Sequence, residues 1–398
     1  MGATTEQMRG WTGPAVFSFG FRPFFLGGAV WAALAMADWI AMLSGTFALP
    51  TALDPVSWHA HEFLFGYLGA IIAGFMMTAV PNWTGRMPIV GWPLAGLFVL
   101  WIAGRIAVAV SVHIPAPAVA LIDISFAVLL ALAMAREILA GRNWRNLIVV
   151  ALLAVFILAN ALFHWEAAQD GFAAQGFGLR LGLATAILLI ALIGGRILPS
   201  FTRNWLVKRG GTNLPAPPMG RFDRLTLLVL LGALLLWVIW PADLITCAAL
   251  LLAGVLHAIR LARWRGWETG SEPLVLVLHV AYGFVPLGAL AEGASILWPA
   301  FVGPAPALHL WMAGGIGLMT LAVMTRATLG HTGRALVAGP GTLALYACVV
   351  GSVALRVLAD MVPAWSMLGY GLSGALWIAG FGGFAMLYGP MLLRPKLV

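Results

Sequence analysis

The segment WHAHEFLFGYLGAIIAGFMMTAVPNWTGR, Trp58 to Arg86, decides how the chain is read. Two histidines and a glutamate stand in front of an almost unbroken apolar run that closes on a proline and a basic turn. Crossing the hydrocarbon core takes about 20 such residues in a helix, so this is one membrane span. Runs of the same kind recur on both sides of it. They predict an all-α polytopic membrane protein with about twelve transmembrane helices, over 20–43, 58–81, 89–111, 116–139, 145–165, 176–198, 222–240, 243–264, 273–297, 304–326, 336–358 and 364–388. Composition agrees: 62% of the 398 residues are hydrophobic and 9% charged, against about 45–50% and 25% in soluble domains. The first span is too long, and lacks the small-residue cleavage site, for a removed signal peptide. No water-soluble domain is expected, so residues 1–398 read as a single integral membrane domain.

The net charge of +8 is a topology signal and not a nucleic-acid footprint. Arg9, Arg86, Arg136, Arg142, Arg145, Arg196, Arg203, Lys208, Arg209, Arg221, Arg224, Arg260, Arg263, Arg265, Arg326, Arg334, Arg394 and Lys396 fall at alternate joints; Asp54, Glu166, Asp170, Asp243 and Asp360 fall at the others. By the positive-inside rule both termini are cytoplasmic. The Gly-, Pro- and Arg-rich stretch from Arg203 to Arg224 reads as a long cytoplasmic loop. Cys247 and Cys348 lie within spans, so no disulfide framework is expected, and no CxxCH motif for covalent haem occurs.

Laying His61 on His309 also lays Gly66 on Gly314, Gly69 on Gly317, Met76 on Met324 and Thr84-Gly85-Arg86 on Thr332-Gly333-Arg334. The ending PSFT at Pro199 to Thr202 echoes PNWT at Pro81 to Thr84. Spans two, six and ten then hold equivalent places in a three-fold repeat of four-helix units.

Ionisable groups inside lipid cost a few kcal/mol each unless paired or facing a cavity, so their positions are site hypotheses. On the predicted topology His59, His61, His113, His164 and His309 lie near the outer ends of their spans, and His257, His279 and His331 near the cytoplasmic side. Asp38, Glu62, Asp123 and Glu292 share the outer half with Arg105, Arg180 and Arg356. Neutral imidazole ligates metal or haem iron, and guanidinium suits haem propionates. All eight histidines are therefore candidate metal ligands. His61 and His309 would face each other if the repeat holds. Asp54 and Pro55 look like an N-cap and first helical residue, which puts the whole WHAHE segment on a helix. There His59 and Glu62 share a face, while His61 points about 200° from His59. The plain alternatives are interfacial histidines, snorkelling arginines, tryptophans of an aromatic belt, and glycine pairs at 194–195, 314–315 and 382–383 that allow close helix packing.

FSFGFRPFFLGG at Phe17 to Gly28, the Trp58 to Arg86 segment, LWIAGR ending at Arg105, GGRILPSFTRNWL at Gly194 to Leu206 and LAVMTRATLGHTGR at Leu321 to Arg334 occur in order. Together they resemble the NnrS family of bacterial inner-membrane proteins linked to nitric oxide. The resemblance implies haem b and copper as cofactors, protection from nitric oxide, and an association with denitrification or nitrosative stress; His59, His61, His309 and His331 are the motif positions that fit cofactor binding. The layout is also similar to subunit I of haem-copper oxidases and nitric oxide reductases. It departs from them in that span six holds no histidine, so copper ligands would come from elsewhere, with His113 and His164 as candidates.

The expected function is removal of nitric oxide in the outer half of the bundle by a nitric oxide reductase-like oxidoreductase. Nitrous oxide would be formed with electrons from quinol or a soluble donor, and Glu62, Asp123 and Glu292 would pass protons. The alternative is a non-catalytic haem or copper protein that senses or buffers the gas. A secondary transporter would call for broken helices and inverted repeats, whereas the repeats here run in one direction.

Overall fold

The computed structural model describes residues 11–169 and 171–397; Arg9 and Asp170, used above for topology, lie outside the described residues. Among the described residues twelve helices are long and apolar enough to cross a membrane, and there is no strand. They are α1 Phe21–Leu43, α2 Pro55–Thr84, α3 Trp92–Ala109, α4 Ala116–Ala140, α5 Trp144–Ala168, α6 Phe177–Lys208, α7 Arg221–Ile239, α8 Leu244–Ala262, α9 Pro273–Leu297, α10 Pro304–His331, α11 Pro340–Met361 and α12 Pro363–Leu393. The chain is an all-α, multi-pass membrane protein, as a bilayer without water to satisfy the backbone requires.

The ends follow local chemistry. Asp54 accepts hydrogen bonds from the N–H groups of Val56 and Ser57 at 3.0 Å, and Pro55 opens α2. Gly85, at φ 69°, closes that helix with its N–H on the Pro81 carbonyl. The helix α6 continues past the predicted end at 198, so Arg203 to Lys208 are helical and the expected loop is shorter. Arginine and lysine are good helix formers; Gly210, at φ 75°, follows the helix and not the first charge.

Two spans are not uniform. A π-helical stretch, Glu62–Tyr67, follows directly on His61, and another, Leu310–Leu318, follows directly on His309. The overlay of His61 on His309 thus also superposes two wide turns, a feature often found at functional sites. The helix α6, the remaining member of the expected repeat, is α-helical throughout.

The chain forms two compact units. One runs to Thr185 and takes in Thr328–Arg334 and the chain from Phe381 on; the other comprises Ala186–Ala327 and Ala335–Gly380. In the first, α1 packs on α2, α3 on α4, and α4 on both α2 and α5. Small residues make the approach close: Ala29, Ala32 and Ala35 of α1 and Ala70 and Ala73 of α2 are fully buried. Lipid tails are as apolar as leucine, so such packing must supply what the hydrophobic effect does not. At the start of α6, a Cβ on Gly178 would stand 2.8 Å from the Ala159 carbonyl oxygen, a backbone atom that cannot swing away. Gly178→Ala is expected to destabilise the protein by about 1–3 kcal/mol, measured as a lower unfolding temperature in detergent.

In the second unit α8 packs on α7 and α9, and α9 and α11 on the π-helical stretch of α10. Its core holds Trp237, Trp264, Trp311 and Tyr282, each at most 2% exposed. These tryptophans are core, whereas Trp240, Trp298 and Trp365 stay exposed as a belt residue does.

Candidate functional site

Two polar residues adjacent in sequence leave α2 in different directions. Glu62 faces α1, where the Trp31 indole donates to its Oε2 at 2.8 Å. His59 faces α1 as well, its ring stacked on Trp39 with centroids 4.5 Å apart. His61 faces α4 and α5: its Nε2 lies 3.2 Å from Asp123 Oδ2 and 3.1 Å from Asn160 Oδ1. The face shared by His59 and Glu62 and the divergence of His61 agree with helical spacing. The same ring also reaches back, with Nδ1 2.9 Å from Glu62 Oε1.

Arg105 of α3 joins the two carboxylates. Its Nη1 donates to Glu62 Oε1 and Oε2 at 2.8 and 2.7 Å, and its Nη2 donates to Asp123 Oδ1. The guanidinium lies across α2 where Gly66 has no side chain; a Cβ there would meet Arg105 and stand 2.7 Å from Glu62 Oε2. The Trp101 indole, one turn earlier on α3, donates to the Gly66 carbonyl at 2.9 Å within the π-helical stretch. His164 of α5 completes the set, with Nε2 3.0 Å from Asp123 Oδ2. Side-chain exposure is 0% for His61 and Glu62, 1% for Asp123, 5% for Arg105 and 9% for His164.

Hydrogen-bond chemistry narrows what this cluster holds. A carboxylate only accepts, so His61 Nδ1 carries the hydrogen between it and Glu62. Asn160 Nδ2 donates to Asp123 Oδ2 at 2.8 Å, which fixes the amide and turns its oxygen toward His61. His61 Nε2 therefore faces two acceptor oxygens. A bare lone pair there would be repelled, so the position calls for a hydrogen or a cation. Formal charge gives the same answer: Glu62 and Asp123 contribute two negative charges and Arg105 one positive. One further positive charge closes the balance in a site where an unpaired charge is expensive.

A second hydrogen on His61 closes that balance, and so does a small monovalent metal ion such as Cu+. One donor atom each from His61, Asp123 and His164 lie within 4.8 Å of one another. Two atoms bound to one ion at about 2.1 Å and tetrahedral angles stand roughly 3.4 Å apart, close to the 3.2 and 3.0 Å from Asp123 Oδ2 to the two imidazoles. Glu62 on the far nitrogen of His61 is the outer partner that orients ligating histidines. A haem does not fit between these two rings. Their centroids are 4.9 Å apart at 65°, and the Asp123 oxygen occupies the space between their Nε2 atoms.

The remaining expected site residues lie apart from this cluster or in the other unit. His113 is exposed in a short turn after α3, and the ring of His331 packs on Phe19 and Phe21. Arg180 donates to the Gln175 carbonyl at 2.5 Å. In the second unit His309 Nδ1 donates to the Ala305 carbonyl at 2.7 Å, and Arg356 pairs with Asp360 at 2.6 Å over the ring of Tyr370. His279 Nε2 meets the Thr202 hydroxyl at 2.7 Å. Glu292 accepts the Trp237 indole at 2.8 Å on one oxygen and leaves the other buried without a partner.

That unit also holds an ion pair the sequence reading missed. Arg260, read there as a topology charge, is fully buried; its Nε donates to Asp223 at 2.7 Å and its Nη1 to Tyr282 Oη at 2.9 Å, which in turn lies 2.9 Å from His257 Nδ1. Gly195 leaves the room its guanidinium takes. Asn160, Trp31 and Gly66 were likewise missed in the first unit. Asn160 carried a signal, since it precedes His164 by one helical turn in an otherwise apolar span.

A family model described as NnrS protein matches residues 15–396. No curated protein matches the chain.

Proposed function

The chain belongs to the NnrS family, which is linked to nitric oxide metabolism, and we propose that it binds nitric oxide inside the bacterial cytoplasmic membrane and removes it by reduction to nitrous oxide. The observation that carries this reading is the buried set of His61, Asp123 and His164, short of one positive charge and bordering a small cavity. A copper ion suits two imidazoles and a carboxylate, and when bound supplies a one-electron redox couple and an open position for the gas. Overall, two nitric oxide molecules, two electrons and two protons give one nitrous oxide and one water. One quinol oxidised to quinone supplies both electrons and both protons; a soluble donor is the other source.

The residues divide the work. His61, His164 and Asp123 hold the ion, and Glu62 fixes the His61 ring through Nδ1. Arg105 holds both carboxylates and presents its guanidinium to the cavity wall, where electron density gained by the gas meets a preorganised positive charge. His164, the most exposed member, is the point at which protons reach the cluster. Glu292, with one oxygen unpaired, is a carboxyl able to store a proton in the second unit. Haem b, which the resemblance implies, would be held by an imidazole from among His59, His257, His279, His309 and His331 and would supply one-electron chemistry when bound.

Purified protein given quinol and nitric oxide is expected to release one nitrous oxide for every two nitric oxide consumed, measured by gas chromatography, and His61→Ala to release none. A second reading has its own support: the neighbouring cavity, at about 20 Å³, holds one diatomic and not two. Nitric oxide bound in an electron paramagnetic resonance spectrum with no nitrous oxide formed would establish that reading, a buffer or sensor, over the reductase.

A further inference from the structure

Beneath the ion pair, between α2, α4 and α5, lies the cavity of about 20 Å³, room for one small molecule. Arg105, Asp123 and Asn160 form one wall; the rest is apolar, with the rings of Phe65, Phe126 and Phe156 at its depth. The polar wall offers enough partners for one water, but the aromatic wall opposite gives it none. An uncharged, weakly polar diatomic matches both walls.

The cavity is not sealed. Phe65, Phe126 and Phe156 are buried, whereas Gly69, Ala127 and Ile157 are half-buried and form a side opening. The chain beside that opening is apolar and outward-facing: Val128 and Leu158 are 36% and 53% exposed. Lipid is what covers such a surface at this depth in a span. The gap itself comes from missing side-chain bulk, because a Cβ built on Gly69 would have nothing within 4 Å.

We infer that this cavity is a docking pocket for an uncharged diatomic gas, filled sideways from the acyl-chain region through the gap over Gly69. The inference rests on the proposed handling of nitric oxide for its ligand, but the pocket is testable without that gas. Nitric oxide concentrates in lipid, so a lateral mouth delivers it to Asp123 and Arg105 without an aqueous tunnel.

Gly69→Phe plugs the gap without touching the charged cluster, and the open space at that position together with the better helix propensity of phenylalanine favours normal folding. Leu129→Phe adds the same ring to the lipid face away from the opening. In nanodiscs, nitric oxide association by stopped flow is expected to be about tenfold slower for Gly69→Phe, with unchanged metal content, and unaltered for Leu129→Phe. In parallel, xenon dissolved under pressure is expected to give a saturable xenon-129 shift with wild type and Leu129→Phe, but not with Gly69→Phe. Equal association rates in all three proteins overturn the lateral route. A missing xenon shift in wild type, or one that survives Gly69→Phe, overturns the pocket. If wild type binds no nitric oxide at all, the proposed function fails, and the xenon result alone decides the pocket.

Discussion

Arg105→Leu is expected to lower stability by about 3–5 kcal/mol, the cost of leaving partners of a buried ion pair without their counter-charge. Among the described residues the guanidinium is the only cation facing Glu62 and Asp123 from a side chain other than histidine, and it binds both. Without it two carboxylates, each at most 1% exposed, share a site in which one added proton or ion no longer closes the balance. The protein should fail to accumulate in membranes or should aggregate on extraction, read by size-exclusion chromatography of a fluorescent fusion. Adding Glu62→Gln to Arg105→Leu returns the formal charge to one negative, and the double variant should recover part of the lost yield. Arg105→Lys should fall between, since an ammonium cannot reach three carboxylate oxygens in one plane as the guanidinium fork does. An Arg105→Leu protein as stable as wild type would remove the charge balance from the account of this site.

Asp123→Asn should act on the metal and leave the fold. It removes one negative charge while Glu62 and Arg105 still cancel, so the buried site is neutral without any bound cation. The ion then loses its only anionic ligand, and the amide in its place offers His61 and His164 no comparable attraction. Protein purified after copper loading should carry close to one equivalent in wild type and none in Asp123→Asn, by elemental analysis following exchange against a chelator. Glu62→Gln, which loosens the orientation of His61 from outside the ligand set, should weaken copper by about 10–100-fold and not abolish it. Copper retained in full by Asp123→Asn would show that the ion, if bound, sits elsewhere.

The fold was legible because its main constraint is length. Twelve apolar runs long enough to cross lipid leave little choice, and Asp54 with Pro55 even marked where α2 begins. The end of α6 was not legible, because leaving the bilayer does not oblige a helix to stop. For the site, sequence identified the members and not the partnerships. His61, Glu62, Arg105, Asp123 and His164 stand out as ionisable groups in apolar spans, but which of them meet depends on how α2, α3, α4 and α5 are turned. Arg260 shows the converse limit. It precedes Arg263 and Arg265 and looks like them in sequence, yet it points into the bundle while they do not. Asn160 escaped notice because an uncharged amide raises no alarm by composition, although its oxygen decides what His61 can hold.

The wide turn from Glu62 to Tyr67 divides α2 into two azimuthal frames. Such a turn amounts to one residue more than an α-helix would use, and each residue of an α-helix advances the azimuth by about 100°. Everything after Tyr67 is therefore out of phase with WHAHE, which is how one span aims His61 and Glu62 inward near its start and still brings Gly69 to the flank of the cavity below. Losing any single residue from that turn, whatever its identity, would restore a uniform helix and swing one frame away from its neighbours. In this span the number of residues is as strictly constrained as their chemistry.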